Sequence, residues 1–515
     1  MLEPAYQADV VVVGAGVAGL SAAHRLTSAG VRTVVLEAAP WVGGRMSTEK
    51  IDGFRLDRIG QLLSTAYPEL GRTPGLDALV LRPFAPGVLL HSGGRHHRAG
   101  ARTGVGGARG ALHVVRALAS SPRVPGRAWG SGAARTAGAP GAVRAVAPAW
   151  SAGAGRPSGL PLPSAPARSR PAGAEVGPPA LRGTGAGPVP PPRVRPGAPL
   201  GTAVDQARLG AALARLGTMP VERLLARPES PAGQALAGRG LPARTVDGFL
   251  RPLLAALLCD PDLTTSSRCA DLALRAFATG RLCLPEGGAE ALPELLARAL
   301  PPGTVHTGVR VTSVATDRVT TAEHGQFRCG AVLVATDART AADLLPGLRV
   351  PEFHPVTVVH HTTDEPPATG AALLLDADRG GPVAHTAVVS GVDPSRAPAG
   401  RTLVSSTVLG TPPPGIDTAV RRHLARLYGV PTDRWETLAV HHTAEAVPAM
   451  RAPHDLRRPV RLLAGLYVCG DHRDTSTVQG ALHSAHRAAR AILADLGTAG
   501  SLHLADPVRT TPEAA

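Results

Sequence analysis

The pattern of apolar positions changes from strand-like to helix-like and back within the first forty residues. Residues 8–14 form a short, continuous, β-branched run, which is typical of a strand buried in a parallel sheet. Residues 17–29 carry apolar side chains at helical spacing and stop at Gly30, and residues 32–37 form a second apolar run. This order predicts a βαβ unit with a right-handed crossover.

Both patterns continue along the chain. Apolar residues recur at helical spacing over several stretches, which predicts helices at 203–217, 245–258, 289–300, 417–428 and 478–496. Short apolar or alternating runs predict strands at 304–314, 326–336, 354–362, 384–391 and 402–408. A strand that leads into a turn is expected at 465–471. Because strand and helix patterns alternate, the predicted fold class is α/β.

The stretch from about 92 to 200 lacks this patterning. It consists almost wholly of Ala, Gly, Pro, Arg, Ser, Val and Leu, which provide too little large apolar surface to offset the entropy of ordering. Residues 101–200 include thirteen arginines and one acidic residue, Glu175, so they carry +12 of the net charge of +15. Three interpretations stay open: a passive disordered insertion, an arginine-rich arm for an anionic partner, and the product of a shifted reading frame in a GC-rich gene.

Charge and composition indicate which partners, which cellular location and which cysteine or metal sites to expect. The rest of the chain is nearly neutral, which argues against nucleic acid as a partner, while a peripheral membrane contact is left open. No apolar run approaches the roughly 18 residues that span a bilayer, and Glu3 and Asp9 stand where a signal peptide is basic, so a cytoplasmic protein is expected. The five cysteines are widely spaced without a C-x-x-C motif, so neither disulfides nor a metal site is expected.

The first motif that carries chemistry joins the first strand to the first helix, as Gly14-Ala15-Gly16-Val17-Ala18-Gly19. In such a turn Gly14 permits the tight bend, Gly16 lets the backbone approach a pyrophosphate at the helix N-terminus, and Gly19 lets helix and strand pack closely. Glu37 ends the second strand, where a carboxylate accepts hydrogen bonds from ribose hydroxyls and disfavours a 2′-phosphate. The motif predicts a dinucleotide site that does not take NADP.

A second motif, Gly43-Gly44-Arg45, follows Glu37 closely. Two glycines permit close backbone approach, and Arg45 offers a charge-assisted donor to phosphate. The combination resembles the flavin amine oxidase superfamily, which includes monoamine and polyamine oxidases, protoporphyrinogen oxidase and carotenoid desaturases. In that family a similar segment contacts the FAD pyrophosphate, so the resemblance implies FAD as the cofactor.

Later segments extend the resemblance, with some features of its phytoene-desaturase-like branch. Gly60 and Gln61 match the segment that passes near the flavin, and Val311 matches a backbone contact on the adenine side. Gly470 and Asp471 resemble the C-terminal FAD motif, in which Asp471 would bind the ribityl or phosphate side. The helix that starts near Val478 would point its N-terminus at the flavin ring, where its dipole stabilises negative charge.

The resemblance implies a discontinuous Rossmann-type FAD-binding domain and an α+β substrate domain that contains an antiparallel sheet. The expected FAD-binding pieces are 1–75, 284–345 and 455–496. The expected substrate-domain pieces are 76–91, 201–283 and 346–454. Residues 92–200 would form the insertion, and residues 497–515 a flexible tail.

The same resemblance bears on the reaction, in which the flavin takes the electrons and the protein binds and orients the substrate. Amine oxidases of the family usually place a lysine near flavin N5 and an aromatic ring in the C-terminal motif. The one lysine here, Lys50, lies outside that region, and no aromatic residue stands near Val478. The expected reaction is therefore desaturase-like: hydride removal from a C–H bond of a small, apolar substrate to flavin N5.

Two alternatives stay open: an amine oxidase that forms imine and hydrogen peroxide, and a catalytically impaired flavin-binding protein. The electron acceptor, oxygen or quinone, also stays open. Apart from the flavin itself, His472 beside Asp471 is a weak candidate for a catalytic residue. Cys469 is expected in the core, so FAD is expected to bind non-covalently. His483 and His486 share a helix face, yet a metal site is not expected there.

Overall fold

The computed structural model describes residues 7–100 and 200–497, which belong to one compact unit. Its strands are, in chain order, β1 Gln7–Val13, β2 Thr33–Glu37, β3 Thr48–Ile51, β4 Phe54–Asp57, β5 Leu63–Ser64, β6 Leu81–Pro83, β7 Val88–Ser92, β8 Arg95–Ala99, β9 Leu282–Pro285, β10 Val305–Thr307, β11 Val311–Val314, β12 Arg318–Thr321, β13 Gln326–Val334, β14 Phe353–Thr363, β15 Leu374–Asp376, β16 Val383–Val388, β17 Thr402–Leu409, β18 Glu436–Pro448, β19 Arg461–Leu463 and β20 Leu466–Val468.

The α-helices are, in chain order, α1 Val17–Ser28, α2 Ala203–Thr218, α3 Val221–Leu225, α4 Ala232–Ala237, α5 Ala243–Thr245, α6 Arg251–Leu258, α7 Ser267–Thr279, α8 Ala291–Arg298, α9 Ala338–Leu344, α10 Val389–Val392, α11 Ile416–Tyr428 and α12 Val478–Asp495. Short 3₁₀ turns occur at Pro68–Gly71, Pro394–Arg396 and Asp471–Arg473. A π-helical turn, Val246–Leu250, leads directly into α6.

A parallel sheet carries the predicted βαβ unit. Its parallel strands run in the order β10, β2, β1, β13 and β20, so strands from three distant parts of the chain lie side by side. The first half of β13 pairs with the antiparallel strand β12, and its second half pairs with β20. The carboxyl ends of β1, β2, β13 and β20 therefore lie along one edge, which is where ligands bind in such sheets.

Helices α1 and α12 pack together against this sheet. Their buried faces share one apolar core with the sheet, through Leu20 and Leu26 of α1 and Leu482 and Ile492 of α12. This packing brings the N-terminus of α12, which lies near the end of the chain, to the same sheet edge as the glycine turn before α1.

An antiparallel sheet forms the second layer of structure, in the order β18, β14, β17, β16, β15, β7 and β8. One pair in it is parallel, β15 with β7. Helices α2, α3, α4, α6 and α7 contribute to a separate apolar core that includes Phe249, Leu253 and Phe277. The predicted fold class is confirmed: a Rossmann-like parallel sheet is combined with helices and an antiparallel sheet. The proposed domain boundaries stay a prediction.

Three expectations need correction. The insertion expected at 92–200 begins too early, because β8 pairs with β7 through a turn at Gly93 and Gly94, which both have positive φ, as two-residue hairpin turns require. The rest of it, 101–199, lies outside the described residues, as do 498–515 of the expected tail. The strand expected at 304–314 is broken at Gly308 into β10 and β11, and the helix expected at 245–258 starts with the π-helical turn.

No helix within residues 7–100 and 200–497 has both the length and the apolar character needed to cross a membrane.

A buried arginine joins the ends of β4 and β9 to the segment after α10. Arg396 is 1% exposed, and its guanidinium lies 2.9 Å from Asp57 Oδ2 and 3.1 Å from Asp393 Oδ2. It also donates a hydrogen bond of 3.1 Å to the carbonyl of Pro285. Both carboxylates are themselves buried, and each also accepts hydrogen bonds, Asp57 from Thr48 and Asp393 from Ser395, so Arg396 adds a positive charge to groups that are already hydrogen-bonded.

We expect Arg396→Leu to lower the free energy of unfolding by about 3–5 kcal/mol, because it leaves two buried carboxylates without their counter-charge. Urea denaturation followed by circular dichroism measures this change. Arg298→Leu is the matched control: Arg298 is exposed and pairs with Glu294 one helical turn away, so its loss should change stability by less than about 1 kcal/mol. Equal stability of the two variants would contradict the role given to Arg396.

Candidate functional site

The glycine turn between β1 and α1 is shaped by two very close backbone approaches. Gly14 has φ +105°, and a Cβ there would lie 3.0 Å from the carbonyl oxygen of Ala335. A Cβ on Gly19 would lie 1.9 Å from the carbonyl oxygen of Gly14, so α1 can pack this closely only with glycine there. Gly16, in contrast, has open space where its Cβ would be, and it caps α1 without a side-chain hydrogen bond. The first amides of α1 therefore face a free volume that suits an anion.

Glu37 holds this turn from the end of β2. Its carboxylate accepts a 2.7 Å hydrogen bond from the amide of Ala15 and a 2.9 Å hydrogen bond from the amide of Ala39. The backbone after β10 lies alongside, since the amide of Val309 donates to the carbonyl of Glu37. The carboxylate is fixed in place and keeps acceptor capacity for hydroxyl groups of a ligand.

The Gly43-Gly44-Arg45 segment closes over the turn. The amide of Gly43 donates to the carbonyl of Ala15 at 2.9 Å, and Gly44 approaches Gly16 closely. Arg45 lies 2.6 Å from Asp471 Oδ1 and donates a 2.9 Å hydrogen bond to the carbonyl of Ala446. Burial acts to lower the pKa of Arg45, but the nearby carboxylate of Asp471 has the larger, opposite effect, so the pKa of Arg45 is raised. One ion pair thus joins the N-terminal and C-terminal motifs.

The C-terminal motif is equally constrained. Gly470 has φ +141°. Its amide donates a 2.9 Å hydrogen bond to the hydroxyl of Ser484 on α12, and that hydroxyl donates a 2.8 Å hydrogen bond to the carbonyl of Gly470. The side chain of Thr477 caps α12 by accepting from the amide of Gly480. A Cβ on Gly480 would lie 1.9 Å from the carbonyl oxygen of Thr475, so only glycine lets α12 begin here.

These segments surround one cavity of about 460 Å³, which lies in the size range of small-molecule sites. Most of the predicted cofactor residues line it, namely Gly14, Gly16, Ala18, Glu37, Gly43, Gly44, Arg45, Gln61, Val311, Gly470, Asp471 and Val478. Three others lie just outside this lining: Ala15 and Gly19 within the glycine turn, and Gly60 facing the antiparallel sheet. The roles of all fifteen residues in cofactor binding stay predictions.

Sequence reasoning missed several polar residues of this lining. Asp337 follows β13 at the ligand-binding edge of the sheet, and its carboxylate accepts the amides of Arg339 and Thr340 at 3.0 Å each. Burial acts to raise the pKa of Asp337, but these hydrogen bonds outweigh it and hold the pKa below its ordinary value. Arg310 and Glu445 also line the cavity. The available signal was the position of Asp337 directly after the strand predicted at 326–336.

Other candidate residues lie away from this cavity. His472 is buried without a hydrogen-bond partner among the described residues, and burial lowers its pKa to about 4, yet it does not line the cavity. Cys469 is fully buried in the core. Lys50 is exposed and pairs with Glu290. His483 and His486 pair with Asp474 and Glu69 respectively. Within residues 7–100 and 200–497 no cluster of side chains is suited to hold a metal ion.

A second cavity, of about 300 Å³, shares Thr477 with the first. Its lining includes apolar side chains from several helices and loops, among them Leu225, Leu257, Leu272, Phe277 and Met450. Charged side chains, among them Glu69, Glu222, Arg275 and Asp474, also line it, and Gln479 and His483 of α12 lie on one side. The cavity is large enough for a small organic molecule next to the N-terminus of α12.

Known families match most of the chain. Residues 178–493 match the family of flavin containing amine oxidoreductases, and residues 12–73 match the NAD(P)-binding Rossmann-like domain. The chain belongs to the flavin containing amine oxidoreductase family. Membership confirms the resemblance seen in the sequence motifs and implies a flavin cofactor.

Individual relatives match over short stretches. Putrescine oxidase of Kocuria rosea is 50% identical over 68 residues, which are 13% of this chain and 14% of that protein. Protoporphyrinogen oxidase 2 of Arabidopsis thaliana is 42% identical over 73 residues, 14% of each chain. These matches therefore span a small part of each relative's own length.

Solved structures match over nearly the whole chain. An oxidoreductase from Methanosarcina mazei superposes with a TM-score of 0.60 at 14% identity, over 93% of this chain and 99% of that one. Wild-type putrescine oxidase bound to putrescine superposes with a TM-score of 0.58 at 17% identity, over 95% and 100% of the two chains. At such identities the likeness establishes the fold.

Gly16 has room for a side chain whereas Gly19 has none, so substitutions at these two positions test the site. Gly16→Val should fold like the wild type but bind FAD at least about tenfold more weakly, because the new side chain would fill the volume in front of the α1 amides. Fluorescence titration of the apoprotein with FAD measures the affinity, and circular dichroism checks the fold.

Gly19→Val is the comparison, since it should prevent folding through its clash with the carbonyl oxygen of Gly14. Wild-type affinity in a folded Gly16→Val variant would show that no cofactor approaches the helix at this point.

Proposed function

We propose that the chain binds FAD non-covalently and uses it to remove a hydride from a C–H bond of a small, mainly apolar substrate. One observation carries this proposal: a single cavity extends from Glu37 and Val311 at one end to the N-terminus of α12 at Val478. An extended ligand with a ribose at Glu37, a diphosphate at α1 and a second ring system at α12 would fit these residues. FAD has these groups in this order.

The residues present fit each part of FAD. Glu37 would accept the adenosine ribose hydroxyls, and the first amides of α1 with Arg45 would bind the pyrophosphate. Asp471 would take the ribityl or phosphate side, and α12 would point its positive end at the flavin ring. The described lining includes neither cysteine nor histidine, which favours a non-covalent complex.

FAD, when bound, supplies a two-electron acceptor at its N5 atom. The protein's own part is binding, orientation and electrostatics. Arg45 ties Gly43-Gly44 to the C-terminal motif through Asp471 and would offset the phosphate charge. The N-terminus of α12 would stabilise negative charge on the ring. The apolar side chains of the second cavity would limit the access of water to a substrate held beside Thr477.

The lysine and the aromatic ring of the C-terminal motif that are expected of an amine oxidase are missing from the described linings, which supports an apolar substrate over an amine. Lys50 lies outside both cavities, and Thr477 and Val478 at the start of α12 provide no aromatic ring. Amine oxidation to imine and hydrogen peroxide is the alternative, and the similarity to putrescine oxidase supports this alternative. A flavin-binding protein with impaired catalysis is the second alternative, since residues 101–199 interrupt the region expected to form the substrate domain.

Anaerobic reduction of the bound flavin tests the three readings. We expect bleaching of the flavin absorbance by apolar substrates such as polyenes and porphyrinogens, and no bleaching by a matched set of primary and secondary amines. Reoxidation by oxygen or by a quinone then identifies the electron acceptor.

Bleaching by amines alone would show that the reaction is amine oxidation and not the desaturase-like reaction. A yellow protein that no compound bleaches would favour the impaired flavin-binding protein. A colourless protein that does not take up FAD would refute all three.

A further inference from the structure

Three neighbouring strands of the antiparallel sheet present one row of side chains to the segment after β4. The strand register places Val358 of β14 opposite Thr407 of β17, and Thr407 opposite His385 of β16. A Cβ on Gly60 would lie 3.6 Å from Val358 Cγ2 and 3.9 Å from Thr407 Oγ1. The row thus faces the Gly60 segment across a small cavity of about 40 Å³.

His385 is the unsatisfied member of this wall. It is 5% exposed, and its Nδ1 has no hydrogen-bond partner among the described residues. His360, which lines the same cavity, is fully satisfied: its Nδ1 lies 2.8 Å from Ser405 Oγ and its Nε2 lies 3.1 Å from the carbonyl oxygen of Asp57. A buried polar group without a partner is unfavourable unless something else binds it.

This row of side chains lies next to the cofactor cavity. A narrow space of about 10 Å³ is lined by His385 and Thr407 together with Gln61 and Val447. Gln61 and Val447 also line the large cavity in which FAD is proposed to lie. His385 and Thr407 therefore lie next to the part of the cofactor cavity at Gln61, the residue that the family resemblance places near the flavin.

We propose that His385 and Thr407 form a hydrogen-bonding subsite for one uncharged oxygen group, a hydroxyl or a carbonyl, on an otherwise apolar substrate. This inference rests on the proposed function. The narrow space of about 10 Å³ beside His385 and Thr407 suits a single small group, because one water needs about 10–15 Å³ of such volume. Burial lowers the pKa of His385 to about 4, so the ring is neutral at pH 7 and can donate or accept a hydrogen bond.

The charges nearby agree with an uncharged group. Asp57 and Arg396 line the same cavity, but they pair with each other at 2.9 Å. The described lining therefore leaves no free charge to bind a carboxylate or an ammonium group, whereas it offers an imidazole and a hydroxyl.

Matched pairs of compounds test this subsite on the FAD-loaded enzyme. Each pair shares one skeleton with and without a hydroxyl, such as cyclohexylmethanol with methylcyclohexane and 3-phenylpropanol with propylbenzene. Perturbation of the flavin absorbance gives the dissociation constant of each compound. We expect the wild type to bind the alcohol of at least one pair about tenfold more tightly than its hydrocarbon.

His385→Leu and Thr407→Val should reduce this preference to within about twofold, by weakening the alcohol and leaving the hydrocarbon unchanged. His385→Gln, which keeps a hydrogen-bonding group, should retain part of it. His361→Leu is the control, because His361 is a fully buried histidine of β14 that pairs with Asp417 and lines neither small cavity. It should keep the wild-type preference.

Equal binding of alcohol and hydrocarbon by the wild type in every pair would overturn the subsite, as would an unchanged preference in His385→Leu. Failure of the protein to take up FAD would instead overturn the proposed function, and the subsite with it.

Discussion

The site depends on the contact between α1 and β1 at Gly14 and Gly19. Because a Cβ on Gly19 would fall 1.9 Å from the carbonyl oxygen of Gly14, the helix starts directly above the end of the strand. That position aims the first amides of α1 at open space in front of Gly16 and leaves the Ala15 amide for Glu37. The Gly43 segment then pairs with the same turn, and Arg45 joins it to Asp471 at the far end of the chain.

Much of this arrangement was predictable because its signals are local. The βαβ unit, the glycine spacing and the acidic residue at the end of β2 lie within thirty residues, and each follows from periodicity or from a backbone requirement. The start of α12 was also predictable, since Gly470 and Gly480 mark a turn and a helix start.

The remaining features depend on the pairing of distant strands and helices, which periodicity does not encode. His385 meets Thr407 only through the register of β16 with β17, and Gly60 reaches Thr407 and Val358 only when the segment after β4 folds over the sheet. The hairpin of β7 and β8 was hidden because its strand Arg95–Ala99 is rich in arginine and histidine, a composition typical of loops. The wall of the second cavity combines α3, α6 and α7 with loops far away in sequence.

We propose that this cavity holds FAD without a covalent bond. Chromatographic analysis of the nucleotide that the purified, FAD-reconstituted protein releases on denaturation tests this proposal. We expect one equivalent of intact FAD per chain in the soluble fraction. The proposal is wrong if the flavin stays attached to the denatured chain, if FMN or NADP is released in its place, or if no nucleotide is bound.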